Sequence, residues 1–133
     1  MSTSRNLLAA LFLPSLMNRH PEAHRAPRIA CVNNLKQAGI AFRIWAGDNG
    51  DKYPMQVATT NGGTLEFVDG PNAWRHFLVM SNELNTPKIL FCPSETDSSR
   101  KRAAYFPGIS YLGAAGEPPF TGNFNLSYFV GVD

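Results

Sequence analysis

Apolar residues recur at helical spacing in one stretch of the chain and alternate in several others. Leu35, Ala38, Phe42 and Trp45 follow one another at intervals of 3, 4 and 3, so they share one face of a helix. Val32, Ile40 and Ile44 widen that face, while Lys36 and Arg43 lie together on the polar side. The spacing predicts an amphipathic helix from Arg28 through Ala46. Gly47 and the polar turn Asp48-Asn49-Gly50-Asp51 end it, with Pro54 close behind. A helix apolar over so much of its girth has to be covered. Leu35, Ala38, Phe42 and Trp45 are therefore the expected packing and assembly face.

The rest of the chain reads as a small sheet-forming domain. Thr64 to Val68 alternates as a strand and pairs in a hairpin with Met55 to Ala58 across Asn61-Gly62-Gly63. Gly70-Pro71 precedes a second helix whose apolar side carries Trp74, Phe77, Leu78 and Leu84, with Asn72 as its N-cap. Ile89 to Cys92 is a compact apolar strand ended by Pro93. Leu126, Tyr128, Val130 and Val132 alternate as a last strand. The pattern implies an α+β fold: an N-terminal amphipathic helix on a small antiparallel sheet, with a second short helix.

The N-terminal stretch differs in kind. Leu7 to Leu16 is apolar but only about half the ~20 residues that a membrane-spanning helix needs. It is closer to the apolar part of a signal peptide. Pro21 and Pro27 are expected to interrupt any helix passing through them. Residues 1–27 thus read as a partial hydrophobic anchor or lead-in, and residues 28–133 as the globular domain.

Composition narrows the function. A chain of 133 residues, 44% hydrophobic and 17% charged, folds as one domain and is not disordered. A net charge of +2 is too small to imply a polyanionic partner. The triplet Arg100, Lys101, Arg102 is the sole basic run, in a polar loop, and reads as solvated. Cys31 and Cys92 fit no zinc spacing. They are either one disulfide in an oxidising compartment or two buried thiols in a reducing one. A bridge would close a loop of roughly sixty residues and stabilise by about 3–4 kcal/mol in the chain-entropy model.

Candidate chemistry is sparse. His20 and His24 have the spacing of two metal ligands on one helix face, but Pro21 lies between them and no third ligand is nearby. Asp48, Asn49 and Asp51 make an oxygen-rich turn that calcium could use; the spacing does not fit an EF-hand, and a helix cap is the preferred reading. His76, beside Trp74 and Phe77, lacks the nucleophile and orienting acid that catalysis requires. No nucleophile elbow, phosphate loop or dinucleotide fingerprint is present. The expectation is a protein that is not an enzyme and needs no cofactor.

Three segments together resemble a family. Cys31-Val32-Asn33-Asn34-Leu35-Lys36-Gln37, Ala41-Phe42-Arg43-Ile44-Trp45-Ala46 and Asp48-Asn49-Gly50-Asp51-Lys52-Tyr53-Pro54 are similar to the G-like pseudopilins of type II secretion. The likeness is strongest to the prepilin-type proteins abundant in Verrucomicrobia and Planctomycetes. Phe91-Cys92-Pro93-Ser94 resembles their second cysteine motif, Ser127-Tyr128-Phe129-Val130-Gly131 a later strand motif, and Leu8 to Leu16 the lower half of their hydrophobic helix. The Gly-Phe-Thr-x-x-Glu processing signal of the family is absent. The chain also ends where these proteins continue with more sheet, so it reads as truncated at both ends.

The resemblance implies a pilin-like fold and a non-enzymatic structural subunit of a type II secretion or type IV pilus-like assembly. Its partners would be other pseudopilin subunits and the secretion machinery, not nucleic acid. Its place would be the inner membrane, facing the periplasm, or the cytoplasm if Met1 is the true start. One rival is a soluble or secreted binding module on the same scaffold, using the Gly113–Gly122 loop. A second is a small hydrolase or nucleic-acid-binding protein.

Overall fold

In the computed structural model, residues 20–108 and 116–131 are described. The apolar stretch Leu7 to Leu16 and residue Val132 lie outside the described residues. One helix dominates. α1 runs from His20 to Asp48, 29 residues, or about 43 Å at 1.5 Å per residue. Pro21 falls in its first turn, where a missing amide costs nothing. Pro27 lies inside it, so the interruption expected there does not occur and α1 crosses from the lead-in into the domain without a break. Helix-favouring neighbours on both sides, and the long packed segment that follows, outweigh one lost backbone bond.

α1 ends as its sequence requires. The Ala46 carbonyl accepts from the amides of Asn49 and Asp51 at 3.0 and 2.9 Å. Gly50 and Asp51 both take positive φ, 65° and 58°, the left-handed geometry that closes a helix. The Asn49 side chain donates to the Trp45 carbonyl at 2.8 Å and satisfies another open acceptor.

Beyond α1 the expected α+β architecture is not what the chain adopts. Among the described residues there is no strand, and the sole β-type pairing is an isolated parallel bridge between Tyr105 and Pro119. The expected hairpin is instead a chain of 3₁₀ turns at Pro54–Gln56, Thr59–Asn61 and Leu65–Phe67. The expected strand at Ile89 to Cys92 begins as the 3₁₀ turn Pro87–Leu90. Residues 126–131 run without sheet pairing.

Proline explains much of this. Pro54 and Pro87 each open a 3₁₀ turn, and both fix φ near −65° while offering no donor to a ladder. At Pro87–Leu90 the Thr86 hydroxyl also accepts from the Lys88 amide at 3.3 Å, which favours the turn over extension. Isolated backbone bonds join the segments instead, and only the one between Ser127 and Leu90 links two of the expected strands. The Ser127 amide donates to the Leu90 carbonyl at 3.0 Å, Lys101 to Phe124 at 2.8 Å and Phe120 to Tyr105 at 2.9 Å.

The second helix is split into α2 (Ala73–Leu78) and α3 (Ser81–Leu84). Phe77, Met80 and Leu84 from this pair are buried with Ala38, Ala41 and Trp45 of α1. Leu90, Ala103, Phe106, Phe120 and Leu126 complete the core. Aromatic rings meet edge to face within it: Phe106 and Phe120 at 5.2 Å, Phe42 and Phe77 at 5.6 Å. α1 packs chiefly on the Pro87–Leu90 turn and α3. The alanines on its buried side let these elements come close.

One glycine is set by close approach. Gly63 is buried, and a Cβ there would lie 2.0 Å from the Val57 carbonyl oxygen. The turn that returns the chain from Pro54 to Thr64 has no room for a side chain.

Candidate functional site

The surface of α1 is the most distinctive feature of the molecule. Its buried side is Cys31, Ala38, Ala41, Trp45 and Ala46. Of the expected packing face, Ala38 and Trp45 are buried, Phe42 is half-buried at the edge, and Leu35 is largely exposed. The stripe is therefore turned toward Ala41 relative to the expected one. Val32, Ile40 and Ile44, expected to widen the covered face, are exposed.

At 100° per residue, Ile29 and Ile40 fall on the side of α1 opposite Ala38 and Trp45, and Ile44 lies on the flank, about 100° from Trp45. They are 58%, 56% and 50% exposed. Among the described side chains, Arg25, Ala26, Arg28 and Ile29 of α1 are exposed, and Cys31 is the first that is buried. Beside the helix, Phe129 is 92% exposed and borders a groove of about 260 Å³ lined by Leu35, Gly39, Phe42 and Val130 among others. Aliphatic side chains are thus left uncovered along α1, with an exposed aromatic ring beside it.

Besides the packing of its buried side, the helix is tied to the domain by bonds near Cys31. Cys31 and Cys92 form a disulfide with a Cα–Cα distance of 4.9 Å. One turn further on, the Asn34 side chain donates to the Phe91 carbonyl at 3.4 Å. The Tyr128 hydroxyl donates to the Cys31 carbonyl at 3.3 Å, and burial raises its pKa. The sequence left bridge and thiols open; the structure contains the bridge.

The remaining candidates take structural places. Asn49 of the oxygen-rich turn is engaged in capping α1, and Asp48 and Asp51 flank it on the surface. No group of three or more His, Cys, Asp or Glu side chains among the described residues could hold a metal. The side chains of His20 and His24 lie outside the described residues, as does part of the Gly113–Gly122 loop.

His76 is buried against Thr64, its Nδ1 2.6 Å from the threonine Oγ1. Burial lowers its pKa from the usual 6.5. The folded protein thus refuses a proton that the unfolded chain accepts. Stability should be complete above the ordinary histidine range and fall as pH drops through it toward the lower folded value. Urea titrations between about pH 7 and pH 5 should show this decline, and His76→Gln should flatten it. An equal slope in that variant would show that His76 is not the group responsible.

The basic triplet divides. Arg100 is a clamp: its Nε lies 3.4 Å from Glu95 and 3.7 Å from Asp97, and its Nη1 donates to the carbonyls of Leu126 and, at 3.4 Å, Asn123. The two carboxylates are held below their usual pKa, Glu95 chiefly by the Asp97 amide and Asp97 chiefly by the Ser99 hydroxyl. Lys101 and Arg102 remain exposed.

Two asparagines that the sequence did not single out organise the C-terminal region. The fully buried Asn125 accepts from the amides of Thr121 and Gly122 and donates to the Lys101 carbonyl at 2.9 Å. Asn123 Oδ1 accepts from the Trp74 amide at 2.9 Å. It caps α2 from 49 residues away, while the expected cap, Asn72, makes no such bond. The one available signal was the Gly122-Asn123-Phe124-Asn125 turn chemistry in an otherwise apolar segment.

Among the described residues no helix is long and apolar enough to cross a membrane. No protein-family model, no curated protein and no solved structure matches the chain.

Proposed function

We propose that this chain is a non-enzymatic structural subunit, pseudopilin-like in role, of a type II secretion or type IV pilus-like assembly. The observation that carries the reading is the uncovered aliphatic side of α1. A 29-residue helix with three isoleucines about half exposed is suited to packing against other subunits. The Cys31–Cys92 bridge supports a periplasm-facing location, since disulfides persist in oxidising compartments. The sequence motifs around Cys31 to Pro54 support the kinship. The reading rests on the helix and those motifs; the sheet expected with them plays no part in it.

Photo-crosslinkers placed at Ile40 and Ile44 of the full chain, in its native host, test this. Ladders of oligomers or adducts with other envelope subunits are expected. Monomer alone at both positions would overturn the assembly reading and leave a free-standing binding module in its place.

A further inference from the structure

The wall of α1 just before and after the disulfide faces a second concavity. It has a volume of about 300 Å³, and the residues lining it come from three places in the chain. Ala30 and Asn34 line it from α1, Lys88, Ile89, Phe91 and Pro93 from the facing segment, and Arg102 from a third. The Cys31–Cys92 bridge joins the two walls, and the Asn34–Phe91 hydrogen bond reinforces it. The width of the groove is therefore fixed by covalent and polar ties.

Its charge is one-sided. The acidic residues closest in sequence, Glu95 and Asp97, are taken by Arg100. Lys88 and Arg102 make no ion pair among the described residues. Two cations beside apolar walls suit a ligand that is anionic at one end and apolar along its length. An inorganic anion would gain nothing from Ile89, Phe91 and Pro93, and a neutral apolar molecule nothing from the cations. Arginine presents paired donors that match a carboxylate, and the low polarity of the walls strengthens the attraction. The volume is at the lower end of that of small-ligand sites.

We propose that this groove binds a carboxylate carried on an apolar stem. The same chemistry is offered by a free aliphatic acid and by the C-terminal carboxylate of an apolar peptide. None of the exposed isoleucines of α1 lines this groove, so the two readings are tested separately.

The test uses the full oxidised chain and calorimetric or NMR titration. Octanoate and an acetylated peptide ending in Leu-Leu with a free carboxylate are the two probes. Octanol, octylamine and the amidated peptide are their partners without the anion. At least one acid should bind saturably, at least tenfold more tightly than its uncharged partner. Lys88→Glu with Arg102→Glu should weaken that binding tenfold or more, and both positions are accessible enough to leave the fold intact. Tighter binding of octanoate identifies a free acid as the source; tighter binding of the peptide identifies a chain terminus. No saturable binding of either acid, equal binding of octanol and the amidated peptide, or indifference to the double charge reversal would each overturn the proposal.

Discussion

Replacing both Cys31 and Cys92 with serine should destabilise the folded chain by about 4 kcal/mol. The bridge spans a sequence separation of 61, and the chain-entropy treatment assigns a loop of that size about 4 kcal/mol of unfolded-state entropy. In a domain of this size that corresponds to a fall in Tm on the order of 15 °C. The same bridge ties α1 near Cys31, so its loss leaves the Asn34–Phe91 and Tyr128–Cys31 hydrogen bonds and the packing of Ala38, Ala41 and Trp45 to hold the helix. Urea unfolding of the oxidised wild type against the double variant measures the effect. Coincident midpoints would mean that the two sulfurs are not joined in the folded protein.

Phe120→Ala should be comparably severe, about 3–5 kcal/mol. Phe120 is fully buried. Its ring meets Phe106 at 5.2 Å and Trp74 at 6.4 Å, both edge to face. Truncation removes those contacts and leaves a cavity that rings from two separate segments cannot easily fill. Phe129→Ala is the matched control. That ring is almost wholly exposed, and its loss should change stability by no more than about 0.5 kcal/mol. Equal losses in the two variants would place Phe120 outside the core.

The helix was legible in the sequence because its signal is local. Ala38, Phe42 and Trp45 repeat at helical spacing, and Gly47 to Asp51 carry the chemistry that closes a helix. The direction of its buried side was not legible to the same degree. Leu35 is a stronger hydrophobe than Ala41, yet Ala41 is the one buried, because small residues admit the Pro87–Leu90 turn at close range. Pattern counts side-chain greasiness and has no term for the shape of the partner.

The strands failed for a related reason. Ile89 to Cys92 and Thr64 to Val68 have strand-like composition, but pairing requires a neighbour in register. The prolines at 54, 87 and 93 withhold donors at the places where ladders would start. What replaced the sheet is a set of side-chain to backbone bonds from Arg100, Asn123 and Asn125, each linking segments more than twenty residues apart. The groove beside the disulfide was hidden in the same way. Lys88 and Arg102 are ordinary surface cations in the sequence, and only the folded chain brings them to one cavity.

The long-range cap on α2 has a consequence for synthesis. The amide of Trp74 stays open until Asn123 exists, 49 residues later. At translation rates of about 5–20 residues per second, that interval lasts roughly 2–10 s. Phe120 arrives in the same late segment, so the Trp74 ring spends those seconds without its partner. The nascent chain therefore waits with Phe120 and Leu126 of its core still to come, and that window is when a chaperone has something to hold.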